Sequence, residues 1–474
     1  MAAEPVFPYE IIFHILSFLD YPEHGHDPLY RCSLVNWQLN RAASKLLYES
    51  VTFHRTKQLN LMTLDLKDDG LPDQRSPWTS ALLPHNSPFV KHLQVSGVLN
   101  MRHPPKNRLP EALQTAIKTF INLSSVRFTP DQCYEDTFTE ALKLLCECPS
   151  LRSVHLGGSW LDEKRAPILT ELKGLQKVTI ISPSRAVLDL FPRLLGQLSD
   201  ELVELHLLDN CGSITPGVLR AFLPSLQGIR SFSLGLSYSI TDDDLFDAVN
   251  QLPCLEDLEL FYYYQQRSPI TAPTLPRLRS FAVTLKEHPT SPQMLESLSK
   301  WIRKFVSSSS IEQLLIREER WFLDHKVLNF DSLVYHLTAK HSSTLRVLNM
   351  QHMFISVKAQ KALFAKCKEL EVLCYTSGKT SLSQFKNLAH GLPKLHSVAL
   401  YTEHVGKLLG SNVTDEGATE ILRSAPSLRT VIIDGWSWQG HWTTDDAGDV
   451  KLEAKQYHRS HSRYPVYWKR RMLF

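Results

Sequence analysis

CPSLRSVHL (148–156), LPCLEDLEL (252–260), LPRLRSFAV (275–283), LPKLHSVAL (392–400) and APSLRTVII (425–433) decide how this chain folds. Each places a proline two positions ahead of an apolar anchor, with further apolar residues three and five positions beyond that anchor. Leu-x-x-Leu-x-Leu alone recurs by chance in a chain that is 43% apolar, but proline in fixed register does not. Weaker copies anchored at Val90, Leu123, Leu175, Leu202, Ile229, Ile311, Leu345 and Leu370 fill the gaps. The anchors then run from Val90 to Leu428 at about 28 residues per interval, a repeat period rather than the spacing of unrelated domains.

Each unit reads as one strand and one helix. The last two apolar positions of a copy, such as Val154 and Leu156, alternate as a strand does, with both side chains toward the core. The stretches DTFTEALKLLCECP (136–149), TPGVLRAFLP (215–224) and TDDDLFDAVNQLP (241–253) carry acidic or threonine starts and helical spacing. The pattern predicts an α/β chain whose body, residues 89–445, is an irregular leucine-rich-repeat solenoid, a horseshoe, without a strict consensus asparagine. Two separate α/β domains are the rival reading, and the even spacing over residues 123–283 opposes it.

Where intervals lengthen, the extra residues belong in loops, which makes the segments around 97–110, 261–274 and 284–294 candidate contact loops. FYYYQQRSP (261–269) is the most suggestive. Phe261, Tyr262, Tyr263 and Tyr264 follow the Leu258 and Leu260 strand directly, and exposed tyrosines are effective interface anchors. The competing reading is that two of the four pack into the solenoid.

Ahead of the repeats, FPYEIIFHILSFLD (7–20) is apolar on two faces. Pro8 and Glu10 suit a helix start, Ile11, Ile12, Ile15, Leu16 and Leu19 make one stripe, and Phe13 and Phe18 occupy a second. A short helix with two apolar faces needs neighbouring helices, a partner protein or both. A second helical pattern follows through Leu29, Cys32, Val35, Leu39, Ala43, Leu46 and Leu47, giving an all-helical module over residues 5–50. Residues 51–88, with Asp68, Asp69, Gly70 and several prolines, read as a connector.

The module resembles the F-box found at the start of many fungal F-box proteins. The resemblance rests on Pro8, Glu10 and Ile11, on Ile15, Leu16 and Leu19, on Cys32 to Val35, and on Leu46 to Phe53. The family usually has tryptophan four residues after the valine, where this chain has Leu39, with Trp37 two residues earlier. An F-box followed by leucine-rich repeats is the layout of substrate receptors of SCF-type ubiquitin ligases. The resemblance therefore implies that Pro8, Ile11, Ile12, Ile15, Leu16, Leu19, Leu34, Val35 and Leu39 contact a Skp-type adaptor. That adaptor would link the chain to cullin and RING subunits, and the repeats would hold a protein target of unknown identity. A non-ligase interaction or structural protein with a degenerate F-box is the alternative, motivated by Leu39. A repeat receptor for a small molecule is a third, with no residue cluster to specify it.

Composition narrows the remaining classes. With 52 basic and 49 acidic residues the net charge is +3, which gives no support to a nucleic-acid partner. No apolar run reaches the roughly 20 residues of a membrane span, and no basic leader precedes the first apolar run, so no membrane partner is expected and a cytoplasmic or nuclear location is. Eight scattered cysteines suggest free thiols. Nucleophile-elbow, zinc-protease, P-loop and dinucleotide fingerprints are missing, so no enzyme activity, cofactor or metal is expected. Cys367 and Cys374 lack a local base and read as core residues; Gly157 and Gly158 read as a turn. His14 with His24, His26 and Asp27 is a weak metal constellation. Residues 446–474 form a basic, aromatic tail or cap in which Tyr457, Tyr464, Tyr467 and Trp468 interleave with charge, and Lys469, Arg470 and Arg471 make a basic run.

Overall fold

The computed structural model describes residues 7–19, 27–55, 77–99, 109–133, 135–265, 271–318, 329–377, 381–402, 414–433, 436–444 and 448–457. The chain divides into two compact units, Met1–Ile229 and Arg230–Phe474.

The first unit opens with helices α1 (Tyr9–Ser17), α2 (Asp27–Ser33) and α3 (Trp37–Leu47). Pro8 stands at the N-cap of α1. Its carbonyl accepts from the Ile11 and Ile12 amides at 3.0 and 3.1 Å. α3 starts at Asn36, whose side-chain oxygen accepts the Leu39 amide at 2.9 Å and so satisfies one of the free donors of the first turn. Asn40 donates to the Ser33 carbonyl at 2.9 Å and ties α3 to the end of α2. Leu16, Leu29, Ala42, Ala43 and Leu46 form a small core, with Tyr9, Ile12, Phe13, Cys32, Leu39 and Leu47 packed around it. The Lys45 ammonium lies 4.5 Å from the centre of the Phe13 ring, so one of the two aromatic residues on the second face of α1 is covered within the module.

Six parallel strands follow in the same unit: β1 (Ser50–Arg55), β2 (His92–Val98), β3 (Ser125–Gln132), β4 (Ser153–Gly157), β5 (Lys177–Ile181) and β6 (Glu204–Asn210). The second unit carries β7 (Ser231–Leu236), β8 (Asp257–Tyr262), β9 (Ser280–Leu285), β10 (Gln313–Glu318), β11 (Val347–Phe354), β12 (Val372–Ser377), β13 (Ser397–Thr402) and β14 (Thr430–Ile433), also parallel. Within each unit every strand pairs with its successor in sequence, and the intervening helix or turn returns the chain, which is a repeat solenoid in each unit.

Every repeat anchor read from the sequence, from Val90 to Leu428, lies two residues before a strand and is buried. The anchor turns inward just before the strand begins. The next residue's backbone then joins a ladder of its own: the Lys91 carbonyl, for example, accepts both the Ser124 and Ser125 amides at 2.9 and 3.0 Å. In the second unit this next position alternates in sign, as Arg230, Glu256, Arg279, Glu312, Arg346 and Glu371. Ion pairs join Arg230 to Glu256 at 3.9 Å, Arg279 to Glu312, and Arg346 to Glu371 at 3.7 Å. Exposed pairs of this kind add little stability each.

Two boundaries differ from the sequence expectation. The stretch read as a connector from residue 51 begins with β1, which pairs along its length with β2. Tyr48 stands where the other repeats have an aliphatic anchor, and the strand's residues double as the end of the F-box signature. At the other end, β15 (Trp436–Thr444) pairs antiparallel with β14, and β16 (Val450–Tyr457) pairs antiparallel with β15. A hairpin thus continues the sheet past the last parallel strand, and the region read as tail from residue 446 contributes one of its strands. Trp438 is buried, its indole N–H donating to Asp415 at 3.0 Å, whereas Trp442 is exposed. Tyr464, Tyr467, Trp468 and Lys469 to Arg471 lie outside the described residues.

The strand face turned away from the helices differs between the units. In β1–β6 the register aligns Thr52, Gln94, Arg127, His155, Thr179 and His206. In β9–β14 the corresponding row is Ala282, Leu315, Asn349, Cys374, Ala399 and Ile432, all buried, and all but Asn349 join Val347, Val372 and Tyr401 in one apolar cluster.

Candidate functional site

The residues assigned to the adaptor separate by exposure. Ile11 and Ile15 leave about half their surface free, Leu34 and Val35 about two-thirds, and Pro8 and Leu19 are exposed as well. Leu16 is only 2% exposed and belongs to the core that joins α1 to α2 and α3, which corrects its reading as a contact residue. Ile12 and Leu39 are half-buried against the same core. Adjacent positions on a helix point about 100° apart, so a stripe drawn by spacing includes residues on its inner edge.

Four further exposed residues stand outside the assigned adaptor contacts. Phe7, Tyr30 and Trp37 are exposed, as is Phe18 of the second apolar face. Trp37, the displaced tryptophan, is 70% exposed at the start of α3, while Leu39 turns toward the module's core. The available signal was the type of residue: an aromatic at the first position of a helix has no turn ahead of it to pack on. Together these side chains leave an unusual amount of large apolar surface on a module of three short helices, the mark of an interaction site.

A family model for F-box-like domains matches residues 6–54. The chain therefore carries an N-terminal F-box-like domain, and its end at residue 54 falls within β1, so domain and first repeat strand share sequence. Among solved structures the chain is similar to one in the crystal structure of the Rad7 and Elc1 complex in yeast, at 17% identity, covering 83% of this chain and 87% of that chain with a TM-score of 0.42. It is also similar to one in the TLR13–ssRNA13 complex, at 15% identity, covering 73% and 47% with a TM-score of 0.36. No curated protein matches the chain in sequence.

The tyrosine run divides as well. Tyr262 points into the core and packs on Trp301 with ring centres 4.9 Å apart, which corrects its reading as a surface anchor. Burial raises its hydroxyl pKa, and the nearby Asp242 adds to the shift. Phe261 and Tyr263 are half-buried, and Tyr264 is exposed. The alternation is that of a strand continuing to Tyr262. Tyr263 is held by its hydroxyl, which donates to the Tyr238 and Ile240 carbonyls at 3.3 and 3.2 Å.

On the polar strand face of the first unit, Glu204 accepts from Lys177 at 3.0 Å and lies 3.1 Å from His206. These partners, His206 first, hold its carboxyl well below the ordinary range. His155 is pushed down to about 3, by burial and then by the charges of Arg127, His206 and Lys177. It is a neutral imidazole at physiological pH.

The residues with catalytic potential take structural places. Burial pushes the Cys367 thiol up to about 11 and Cys374 to about 12, which suppresses the thiolate a nucleophile needs. A side chain at Gly158 would approach the Ser182 carbonyl oxygen to 2.2 Å, so the glycine serves close packing at the turn after β4. His14 is exposed, its ring edge-on to Phe18, while His24 and His26 lie outside the described residues. Among the described residues no histidine, cysteine and carboxylate cluster suited to a metal is found, and no helix is long and apolar enough to cross a membrane.

Proposed function

We propose that this protein is a substrate-recognition subunit of an SCF-type ubiquitin ligase. Its F-box-like helices dock a Skp-type adaptor, and its repeats hold a protein target near ubiquitin-transfer machinery reached through cullin and RING subunits. The chain supplies proximity and orientation, and bond-making belongs to the partners. The observation that supports this reading most directly is the apolar surface of Ile11, Ile15, Leu34, Val35 and Trp37, exposed on a module that matches F-box-like domains. Such a surface suits burial against a partner, and α1 has its own core residues left over to hold the module together. A cytoplasmic or nuclear location accompanies the proposal.

The decisive experiment is co-purification with a Skp-type adaptor of the wild-type chain and of Ile11→Asp/Ile15→Asp. Both positions are exposed, so the double variant keeps its helical content by circular dichroism and loses the adaptor. Retained adaptor binding overturns the assignment. The degenerate F-box reading predicts no adaptor with the wild-type chain either; the exposed Trp37 weighs against it, because an aromatic surface is present despite the leucine at position 39.

A further inference from the structure

β7 and β8 end beside the N-terminus of the helix Asp242–Asn250, and a narrow cleft opens there, lined among others by Ser237, Ile240, Asp242, Tyr262, Tyr263 and Gln265. Asp242 follows the N-cap Thr241, which closes a capping box with Asp244. Helix capping is therefore served by its neighbours. The Asp242 side chain is only 8% exposed. One of its oxygens accepts the Trp301 indole N–H at 3.0 Å, and its backbone amide donates to the Gln265 side chain at 3.2 Å. No cationic side chain forms an ion pair with it among the described residues. Burial raises its pKa to about 6; the Trp301 bond pulls the other way, Asp243 adds to the rise, and Lys304 opposes it weakly.

An asparagine would accept the same indole bond without a buried charge. The carboxylate thus carries a desolvation cost that the positive end of its helix only partly offsets, since its pKa is still raised, a pattern found at binding sites. Its surroundings suit one kind of ligand. Tyr263, fixed by its two carbonyl contacts, meets Tyr238 edge-on at 5.0 Å between ring centres. Tyr238 and Tyr264 are both exposed. Aromatic rings beside an unpaired carboxylate accommodate an alkyl stem and its cationic head together.

We propose that this cleft receives a lysine or arginine side chain of a target protein, with the head group on Asp242 and the stem against Tyr263 and Tyr238. The inference deepens the target-binding half of the proposed function and rests on it. The test uses the full chain and short acetylated, amidated peptides bearing a single central lysine, arginine or acetyl-lysine, with binding followed by calorimetry. The lysine or arginine peptide binds at least about tenfold more tightly than the acetyl-lysine peptide, and affinity falls as pH drops through about 6, where Asp242 takes up a proton. Whether lysine or arginine binds more tightly identifies the preferred head group.

Asp242→Asn abolishes the discrimination. Because a carboxyl with a raised folded pKa loses stability as pH rises through that value, the asparagine variant melts at the same or a higher temperature at about pH 8. Equal binding of the acetyl-lysine peptide, undiminished binding by Asp242→Asn, or no binding of any peptide overturns the inference. Adaptor co-purification is read separately: if it holds while the peptides fail, only the cleft assignment falls, and if it fails while they bind, only the ligase reading does.

Discussion

The strand faces turned away from the helices are built from opposite materials in the two units. In β1–β6 the aligned positions are threonine, glutamine, arginine and histidine, all but the buried Thr179 at least partly exposed. In β9–β14 the matching row is Ala282, Leu315, Asn349, Cys374, Ala399 and Ile432, apolar except at Asn349 and buried throughout. A parallel strand covered on both faces reads as a continuous apolar run, and β12, VLCYTS, does so through Tyr375. The lesson is that one repeat grammar sets only the inward positions; the remaining positions are free to make either a wet surface or a second core.

Breaking that contrast at matched strand-opening positions has the largest expected effect. Val372→Asp puts a charge where exposure is 1% and destabilises by several kcal/mol, on the order of 4, in urea unfolding. Ser153→Asp, at the opening position of β4 and half-buried, changes stability by no more than about 0.5 kcal/mol. Comparable losses for the two would abolish the distinction.

The same contrast between buried and exposed positions runs through α1. Leu16→Ala removes about 2–5 kcal/mol of local stability from the helical module, read as faster amide exchange in α1–α3. Ile15→Ala leaves exchange nearly unchanged, within about 0.5 kcal/mol, while weakening adaptor binding.

A smaller effect comes from pH. His155 in the first unit and His341 in the second have folded pKa values near 3 and 4, below the usual histidine value of about 6.5. A depressed value means the unfolded chain takes up the proton first, so stability is full above about pH 6.5 and is lost as pH falls toward those values. His155→Gln and His341→Gln therefore each flatten the fall in melting temperature between about pH 7 and pH 5. An unchanged slope would show that the imidazole in question is hydrated rather than desolvated. Smallest is the charged row of the second unit: Arg346→Ala costs about 0.2–1 kcal/mol, and the loss shrinks in high salt.

Legibility in the sequence followed the range of the interaction. The anchors were legible one by one because the repeat spacing is local and the residues are leucine, isoleucine or valine. β1 escaped because Tyr48 breaks that chemistry and because its residues also complete the F-box pattern. The tyrosine run was recognised as a feature, but its alternation depends on where β8 ends, which placed Tyr262 inside and Tyr264 outside. The apolar second face was written in the sequence residue by residue, and only the pairing register shows that Ala282 stands beside Leu315 and Cys374 beside Ala399, with Asn349 between the two pairs.

By itself, then, the chain's order determined a helical module followed by repeated strands and helices, since those are set by spacing within a few turns of the backbone. Tertiary structure decided which edge of α1 remains free, whether a strand face is wet or dry, and that Asp242 meets Trp301 across 59 positions of sequence. Each of these depends on what packs against a residue, and no local period encodes that partner.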